Sequence, residues 1–435
     1  MRGLFYLDLC YNQFMKYDIA IIGGGPAGMM AAGRAGELGA RVVLVEKNVN
    51  LGTKLLMTGN GRCNITNLSD DPKGIAAKFG KNGRFLFSAL NLFSAGDAVA
   101  FFRSRGLEIK VEEQNKAYPA SDKAHDVLDA LQGYMEDGGV EIRSGSNVAD
   151  LEASSNAVEY IKLENGEKIE ADKFIIATGG LSYPQSGSTG DGFNWAKKLG
   201  HSVSGLYPAL TPIIIEEGAV ADLEGLSLRN ADISIYKNSK KIDSRRGEAI
   251  FTKNGMSGPA IIDLSKRIGK ELPGVILKID LKPELDFDKL DKLMQQDFYV
   301  KKNKLFRNSF DRMLPKKMIP VVIRLSGIDP VKKVNSISKD ERKKILHLIK
   351  EFTLTVKSLA GFEKAVVTSG GVKLREIDPR TMRSKIMSNL FFAGEILDLD
   401  GPTGGFNLQM CWSTGRVAGE NAAKKRVDLT DRPER

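Results

Sequence analysis

The chain is poor in the residues that carry chemistry without help from a cofactor. Its 435 residues include three cysteines, Cys10, Cys63 and Cys411. These offer neither a disulfide framework nor a Cys-x-x-Cys metal pair, which suits a reducing compartment, so the cytoplasm is the expected location. No long apolar run is present either. The longest uncharged one, Ile19 to Gly33, is too short and too rich in glycine to span a bilayer. Residues 1–14 lack an apolar core and an Ala-x-Ala-like cleavage site, which argues against a secretory signal; Met15 reads as an alternative start, with 1–14 as an extension. No Ser-His-Asp set, metal-ligand cluster or carboxylate pair stands out. No metal is expected, and the reactive group has to come from a cofactor.

What remains is an ordinary globular composition, 42% hydrophobic and 27% charged with a net charge of +10, which excludes disordered and fibrous classes. The length exceeds the roughly 250–300 residues that one core sustains, so more than one domain is expected.

The strongest local signal is Ile21-Ile22-Gly23-Gly24-Gly25-Pro26-Ala27-Gly28-Met29. Tyr17 to Ile22 reads as a strand buried on both faces. Gly23 permits a sharp turn, Gly25 a close approach of backbone to phosphate oxygens, and Gly28 close packing of helix on strand. Pro26 suits the first helical turn, and Ala27 lies beside it where free N–H groups and the positive dipole end favour an anion. A second strand, Arg41 to Val45, ends at Glu46, roughly 20 residues beyond the glycines, where a carboxylate accepts hydrogen bonds from a ribose. Lys47 follows directly. An acid here disfavours a 2′-phosphate, hence NADP at this site.

Further along, Lys54 and the polar stretch Gly59-Asn60-Gly61-Arg62-Cys63-Asn64 form a loop suited to lie along a flat, polar cofactor; Cys63 reads as a buried filler. Arg84 to Arg105 and Asp126 to Met135 carry helical periodicity. Val140–Arg143, Asn147–Leu151 (with Val148), Ala157–Leu163 and Lys168–Lys173 read as a small antiparallel meander. It feeds a buried strand, Phe174–Ala177, that stops at Thr178-Gly179-Gly180. Gly187 to Gly192 opens a helix and reads equally as an anion cradle or a capped helix start. Four β-rich runs between Pro208 and Leu281 follow. Residues 284–351 are helical and charged, with 17 Lys/Arg against 10 Asp/Glu, a net +7. The final segment returns to a buried strand, Leu390–Ala393, ending at Gly394-Glu395, and then Gly404-Gly405-Phe406-Asn407 opens a long helix. A carboxylate for ribityl hydroxyls and free amide N–H groups where charge grows on reduction are what a flavin needs.

The expected organisation is residues 15–204 plus 372–435 as a cofactor domain, 205–283 plus 352–371 as a β-barrel-like insert, and 284–351 as a basic helical insert. The segments Gly61-Arg62-Cys63-Asn64, Tyr118-Pro119, Ser186 to Gly192, Phe251-Thr252 with Gly255 to Pro259, and Asp400 to Asn407 together resemble the bacterial FAD flavoproteins that include the bile-acid reductase BaiN and the aminoacetone oxidases. Asn60 and Met256 depart from that family's usual residues without threatening the cofactor. The resemblance implies an α/β fold: a Rossmann-like FAD-binding domain of the two-dinucleotide-binding-domain flavoprotein type, with inserted β-barrel and small helical domains. It implies non-covalent FAD and hydride transfer to or from a small organic substrate.

Only one full fingerprint is present, so NAD(P)H enters as a transient electron donor without a sequence signature, and oxygen is the other candidate partner. Arg62 and Tyr183 are the candidates for the substrate face, and the loop Phe251 to Pro259 is the expected contact of the insert with the flavin. The alternative is a flavoprotein that binds or modifies RNA through its basic helical block. Leu305, Phe306, Phe310, Met313 and Leu314 recur there at helical spacing and read as core, so nucleic acid is the disfavoured partner. No membrane partner is expected, and nothing in the sequence sets the oligomeric state.

Overall fold

The apolar run Tyr17–Ile22 forms β1, with only Asp18 exposed, as a strand covered on both faces requires. The computed structural model describes residues 16–424; the expectations for residues 1–14, Cys10 and Met15 lie outside the described residues. Helix α1, Pro26–Glu37, follows the glycine turn, and Val42–Val45 (β2) pairs in parallel with β1, Ile19 opposite Val42. Thr53–Met57 (α2) and Ala124–Asp137 (α3) lead on to Glu141–Arg143 (β3), which lies parallel to β2.

That placement corrects the expected meander. The run at 140–143 is the return strand of a crossover through α3 and belongs to the parallel sheet. The meander starts one strand later, with Val148–Ser154 (β4) and Ala157–Leu163 (β5) antiparallel to each other. Lys168–Ile176 (β6) joins two runs that the sequence separates. Its start pairs antiparallel with β5, and its end is parallel to β1 on one side and to Leu390–Phe392 on the other. One strand therefore ties the meander into the seven-stranded sheet. The helical periodicity of 84–105 is likewise broken. Ser94 starts a new helix by a capping box in which its hydroxyl accepts from Asp97 N at 3.2 Å and Asp97 accepts from Ser94 N at 2.8 Å.

A short helix at Asp191–Lys198 (α4) precedes the insert. Ile213–Ile215, Ser227–Lys237, Lys240–Thr252, Gly255–Ser257, Val275–Asp280 and Phe352–Leu359 close into a barrel. Ile213, Ile233, Phe251, Met256, Leu277 and Leu354 are buried within it or beneath Pro259–Glu271 (α5). The last two barrel strands pair directly, Ile279 opposite Phe352. The charged helices Phe287–Val300 (α6), Met318–Ser326 (α7) and Lys339–Lys350 (α8) form the long connection between them. Phe306, Phe310, Met313 and Leu314 are buried there, as their spacing suggests.

The expected flavin-contacting loop at Phe251 to Pro259 is instead a barrel hairpin. Met256 pairs with both Ile213 and Phe251, and a Cβ on Gly255 would stand 1.9 Å from Ile213 O, so the glycine serves strand pairing. The insert meets the cofactor domain through α5. Lys266 reaches Asp400 Oδ2 at 2.9 Å, and Asp263 accepts from the hydroxyl and N–H of Thr403 at 3.0 and 3.2 Å. Burial pushes the Asp400 carboxyl above its usual range, against the pull of Lys266.

The last helix, Phe406–Ala423 (α9), packs on α1 at backbone distance. A Cβ on Gly415 would lie 2.4 Å from Ala27 O, and one on Gly419 2.2 Å from Ala31 O. Among the described residues no single helix is long and apolar enough to cross a membrane. Because α9 has no room to retreat from the sheet, Gly415→Val is expected to destabilise the cofactor domain by about 1–3 kcal/mol through overpacking. Calorimetry would register this as a lowered first transition, and an unchanged transition would contradict the close packing.

Candidate functional site

The carboxyl ends of β1, β2 and β6 open into a single cleft of about 790 Å³, where ligands bind in open α/β sheets. Its floor is the glycine turn. Gly23 has φ +109°, and a Cβ there would lie 2.5 Å from Ala177 O; a Cβ on Gly28 would lie 1.9 Å from Gly23 O. Protein backbone thus dictates these two glycines. Gly25 differs, because a Cβ there meets no protein atom within 4 Å, so the space it leaves belongs to whatever fills the cleft. Helix α1 starts here with Gly25 as a cap that offers no side chain, Pro26 in the first turn and no acidic residue. The N–H groups of Ala27 and Gly28 have no intrahelical acceptor. An uncapped, acid-free helix start facing a cavity is an anion site.

Glu46 ends β2 at the cleft wall and is 9% exposed. Its carboxylate accepts from Gly24 N at 2.6 Å and from Asn48 N at 2.8 Å. It therefore fixes the glycine turn as well as facing the cavity, a role the spacing did not reveal. Val148, at the start of β4, lines the same end beside Ser146, Asn147 and Trp195. Lys47 points to Thr189 and to Asp191, 2.6 Å away. Burial works against the charge of Asp191, yet the bonds from Lys47 and Thr189 hold its carboxyl below the usual range. That acid occupies the first turn of α4. The stretch at 187–192 is accordingly a helix start with an acid in its first turn and Lys47 paired to that acid, which disfavours a second anion there.

At the other end Lys54 of α2 donates to Glu395 at 2.7 Å and to the Ser182 hydroxyl at 2.6 Å. Glu395 also accepts from Ser182 Oγ at 2.9 Å and from Thr368 N at 2.8 Å. Ser182 and Thr368, 213 and 27 residues from Glu395, carried no sequence signal. They meet it only because Thr368 returns from the insert beside the end of β6. Gly180 is a glycine for this network, since its Cβ would lie 2.3 Å from Thr368 Oγ1. Gly179 and Thr178 line the cleft; the Thr178 hydroxyl is turned inward, against Gly192, where a Cβ would lie 2.2 Å from it.

Gly394 lies outside the lining, with its N–H donated to Thr414 Oγ1 at 3.0 Å. Gly404, Gly405 and Phe406 open α9, again without a side-chain cap or an acid in the first turn. Asn64 accepts from Gly405 N at 3.1 Å, so that amide is spoken for. Asn407 lines the cleft and also holds Gly401 N at 2.8 Å. Cys63 is buried and its thiol is pushed up to about 12 by burial, the behaviour of a filler. Gly61 is exposed beside it.

Neither substrate-face candidate reaches this lining. Arg62 is held by Glu112 at 2.8 and 3.0 Å and by Asp122 at 3.1 Å, and its guanidinium stacks 4.1 Å from the Tyr118 ring centre. Two carboxylates and a ring therefore fix it at the surface. Tyr183 sits in a left-handed turn, φ +51°, with its N–H donated to Phe362 O at 3.0 Å. Among the described residues no group of side chains could hold a metal ion.

The cleft thus fits an elongated dinucleotide: an acid-free helix start at its middle, a carboxylate at one end, and a half-buried Lys–Glu pair toward the other. FAD is such a ligand. Glu46→Ala removes a carboxylate facing the cleft together with its bonds to Gly24 N in the glycine turn and to Asn48 N, on the order of 1.5–3 kcal/mol for a charged acceptor. Titration of flavin-free protein should show FAD binding weakened roughly tenfold or more, and unchanged affinity would contradict the placement.

Similarity to known proteins agrees with this geometry. The family described as HI0933-like protein Rossmann domain matches residues 17–421. A 3-dehydro-bile acid delta(4,6)-reductase of Clostridium scindens is 31% identical over 412 residues, covering 94% of this chain and 99% of that enzyme. A ribosomal RNA dihydrouridine synthase of Escherichia coli is 29% identical over 399 residues, covering 92% and 96%. The structure of a 3-ketosteroid-delta4-(5alpha)-dehydrogenase from Rhodococcus jostii RHA1 shares the fold, with TM-score 0.53, 15% identity and coverage of 96% and 99%. The chain belongs to the HI0933-like family of FAD-dependent Rossmann proteins, and it is a flavoprotein oxidoreductase.

Proposed function

We propose that the protein reduces a carbon–carbon double bond conjugated to a ring carbonyl in a small organic substrate, with NAD(P)H as the electron donor. The observation that carries this reading is the end-to-end likeness to the C. scindens enzyme. With 94% of one chain and 99% of the other covered, the likeness spans the cleft and the insert alike. That enzyme's name describes the reduction of such a bond system. Dihydrouridine, the product in the E. coli relative's name, is likewise uridine with its ring double bond, conjugated to a carbonyl, saturated. One bond type therefore connects both names.

When bound, FAD supplies the hydride-carrying centre. The chain's own groups supply binding and orientation. The start of α1 holds the anionic middle of the cofactor and Glu46 its ribose. Lys54, kept in place by Glu395 and Ser182, sets a positive charge in the wall of the far end, which favours a ligand that gains negative charge on reduction. Val366, Val367, Leu408 and Met410 line that end with apolar surface and limit the water that reaches it.

A second reading places the same bond in a uracil ring of RNA. Two ribosomal RNA dihydrouridine synthases, of E. coli and Haemophilus influenzae, at 29% and 30% identity favour it, as does the net +7 of residues 284–351.

Anaerobic stopped-flow measurements test the proposal. NADH or NADPH should bleach the flavin, and a cyclic enone such as a 3-oxo-4-ene steroid should restore its colour while the saturated ketone does not. Recolouring by oxygen alone would overturn the proposal in favour of an oxidase.

A further inference from the structure

Three stretches of the helical insert meet along one edge: the end of α6 with Tyr299 and Val300, the segment 301–308, and the segment 330–336. Backbone bonds lace the two segments into a ribbon. Phe306 N donates to Lys332 O at 2.8 Å, Arg307 N to Pro330 O at 3.1 Å, Val334 N to Lys304 O at 3.1 Å and Asn335 N to Lys302 O at 3.2 Å, with a β-bridge between Leu305 and Lys333. Phe306 and Val334 point into the core of the insert. The neighbouring cations are used internally: Lys301 is buried against Asp297 and Asp311, and Lys332 pairs with Glu341 at 2.7 Å.

The outward side chains are different. Lys302, Lys304, Arg307 and Lys333 are all exposed, and none makes an ion pair within the described residues. Exposed Asn303, Asn308 and Asn335 lie among them. The carboxylates at hand include Asp311, bound to Lys301 and also within the field of Lys304, Glu341, bound to Lys332, and Asp329, which accepts from Val331 N at 3.0 Å. Tyr299 is 76% exposed and Val300 72%, and Lys302 lies 5.8 Å from the Tyr299 ring centre. The buried phenylalanines of the insert explain its core; they do not explain an aromatic ring left in water beside Lys302 at the end of a ribbon that carries three further exposed cations.

We propose that this ribbon docks single-stranded RNA, with Lys302, Lys304, Arg307 and Lys333 on phosphates and Tyr299 stacked on a base. The proposal deepens the RNA reading above and rests on it. None of these residues lines the cleft, so the ribbon holds RNA without taking part in reduction.

The test uses the full-length, FAD-loaded protein and a fluorescein-labelled, uridine-rich RNA oligonucleotide. Binding by the unaltered protein should weaken steeply with salt. Joint substitution K302E, K304E, R307E and K333E should abolish it. The milder K302Q and K333Q pair should flatten the slope of log affinity against log salt by about 0.7 for each phosphate no longer neutralised. Y299A should weaken binding roughly tenfold and leave the slope unchanged. Flavin content and reduction of a small cyclic enone should stay at the unaltered level in every variant, which separates failure of docking from failure of the reductase chemistry. Absence of RNA binding at low salt, binding that survives the four charge reversals, or capture of phosphatidylglycerol vesicles in place of RNA would each overturn the proposal.

Discussion

Backbone-to-backbone packing at glycine is the constraint on which the cofactor domain depends. The first turn of α1 is wedged between the end of β6 and the flank of α9, where Gly23, Gly28, Gly415 and Gly419 leave no room for a Cβ beside a carbonyl oxygen. Packing this tight cannot be widened without shifting a whole helix, since interiors are filled to crystal density. It also aims the start of α1 at the cleft. Glu46 completes the arrangement by holding Gly24 and Asn48 through their N–H groups. The orientation of this helix start is thus a consequence of packing.

The opposite end of the cleft is built from charge. Lys54 and Glu395 have side chains only 21% and 13% exposed, a costly arrangement unless every lone pair and proton is used. Ser182 and Thr368 supply part of that, Ser182 accepting from Lys54 and both donating to Glu395. Thr368 lies on the segment returning from the insert, and Asp400 is reached by Lys266 from α5. The insert therefore bears on the cofactor domain both at Glu395 and at the loop before α9, so a shift of the insert would be felt at each.

How much of this was legible follows from how local each signal was. The strand, glycine turn, helix and Glu46 lie within one short stretch, and each residue there has its own steric reason, so the site's floor could be read directly. The core aromatics Phe306 and Phe310 were readable from helical spacing. Pairings set by the chain's return path were not. Ser182, Thr368 and Asn48 bear no pattern, because their partners are fixed by the way β6 and the insert come back together. Arg62 and Tyr183 were drawn toward the flavin by proximity in sequence. Glu112 and Asp122 claim the first, and the second is tied by its N–H to Phe362 outside the cleft lining. The hairpin at 251–259 carried glycines of the kind that mark ligand loops, yet those glycines serve strand pairing in the barrel.

The most direct test of the account is the identity and amount of flavin in the purified protein. Acid release followed by chromatography should yield FAD, not FMN, at about one molecule per chain, and flavin-free protein should take up FAD to the same ratio. Release of FMN, or failure to bind FAD while the protein remains folded by circular dichroism, would contradict the cleft as a dinucleotide site.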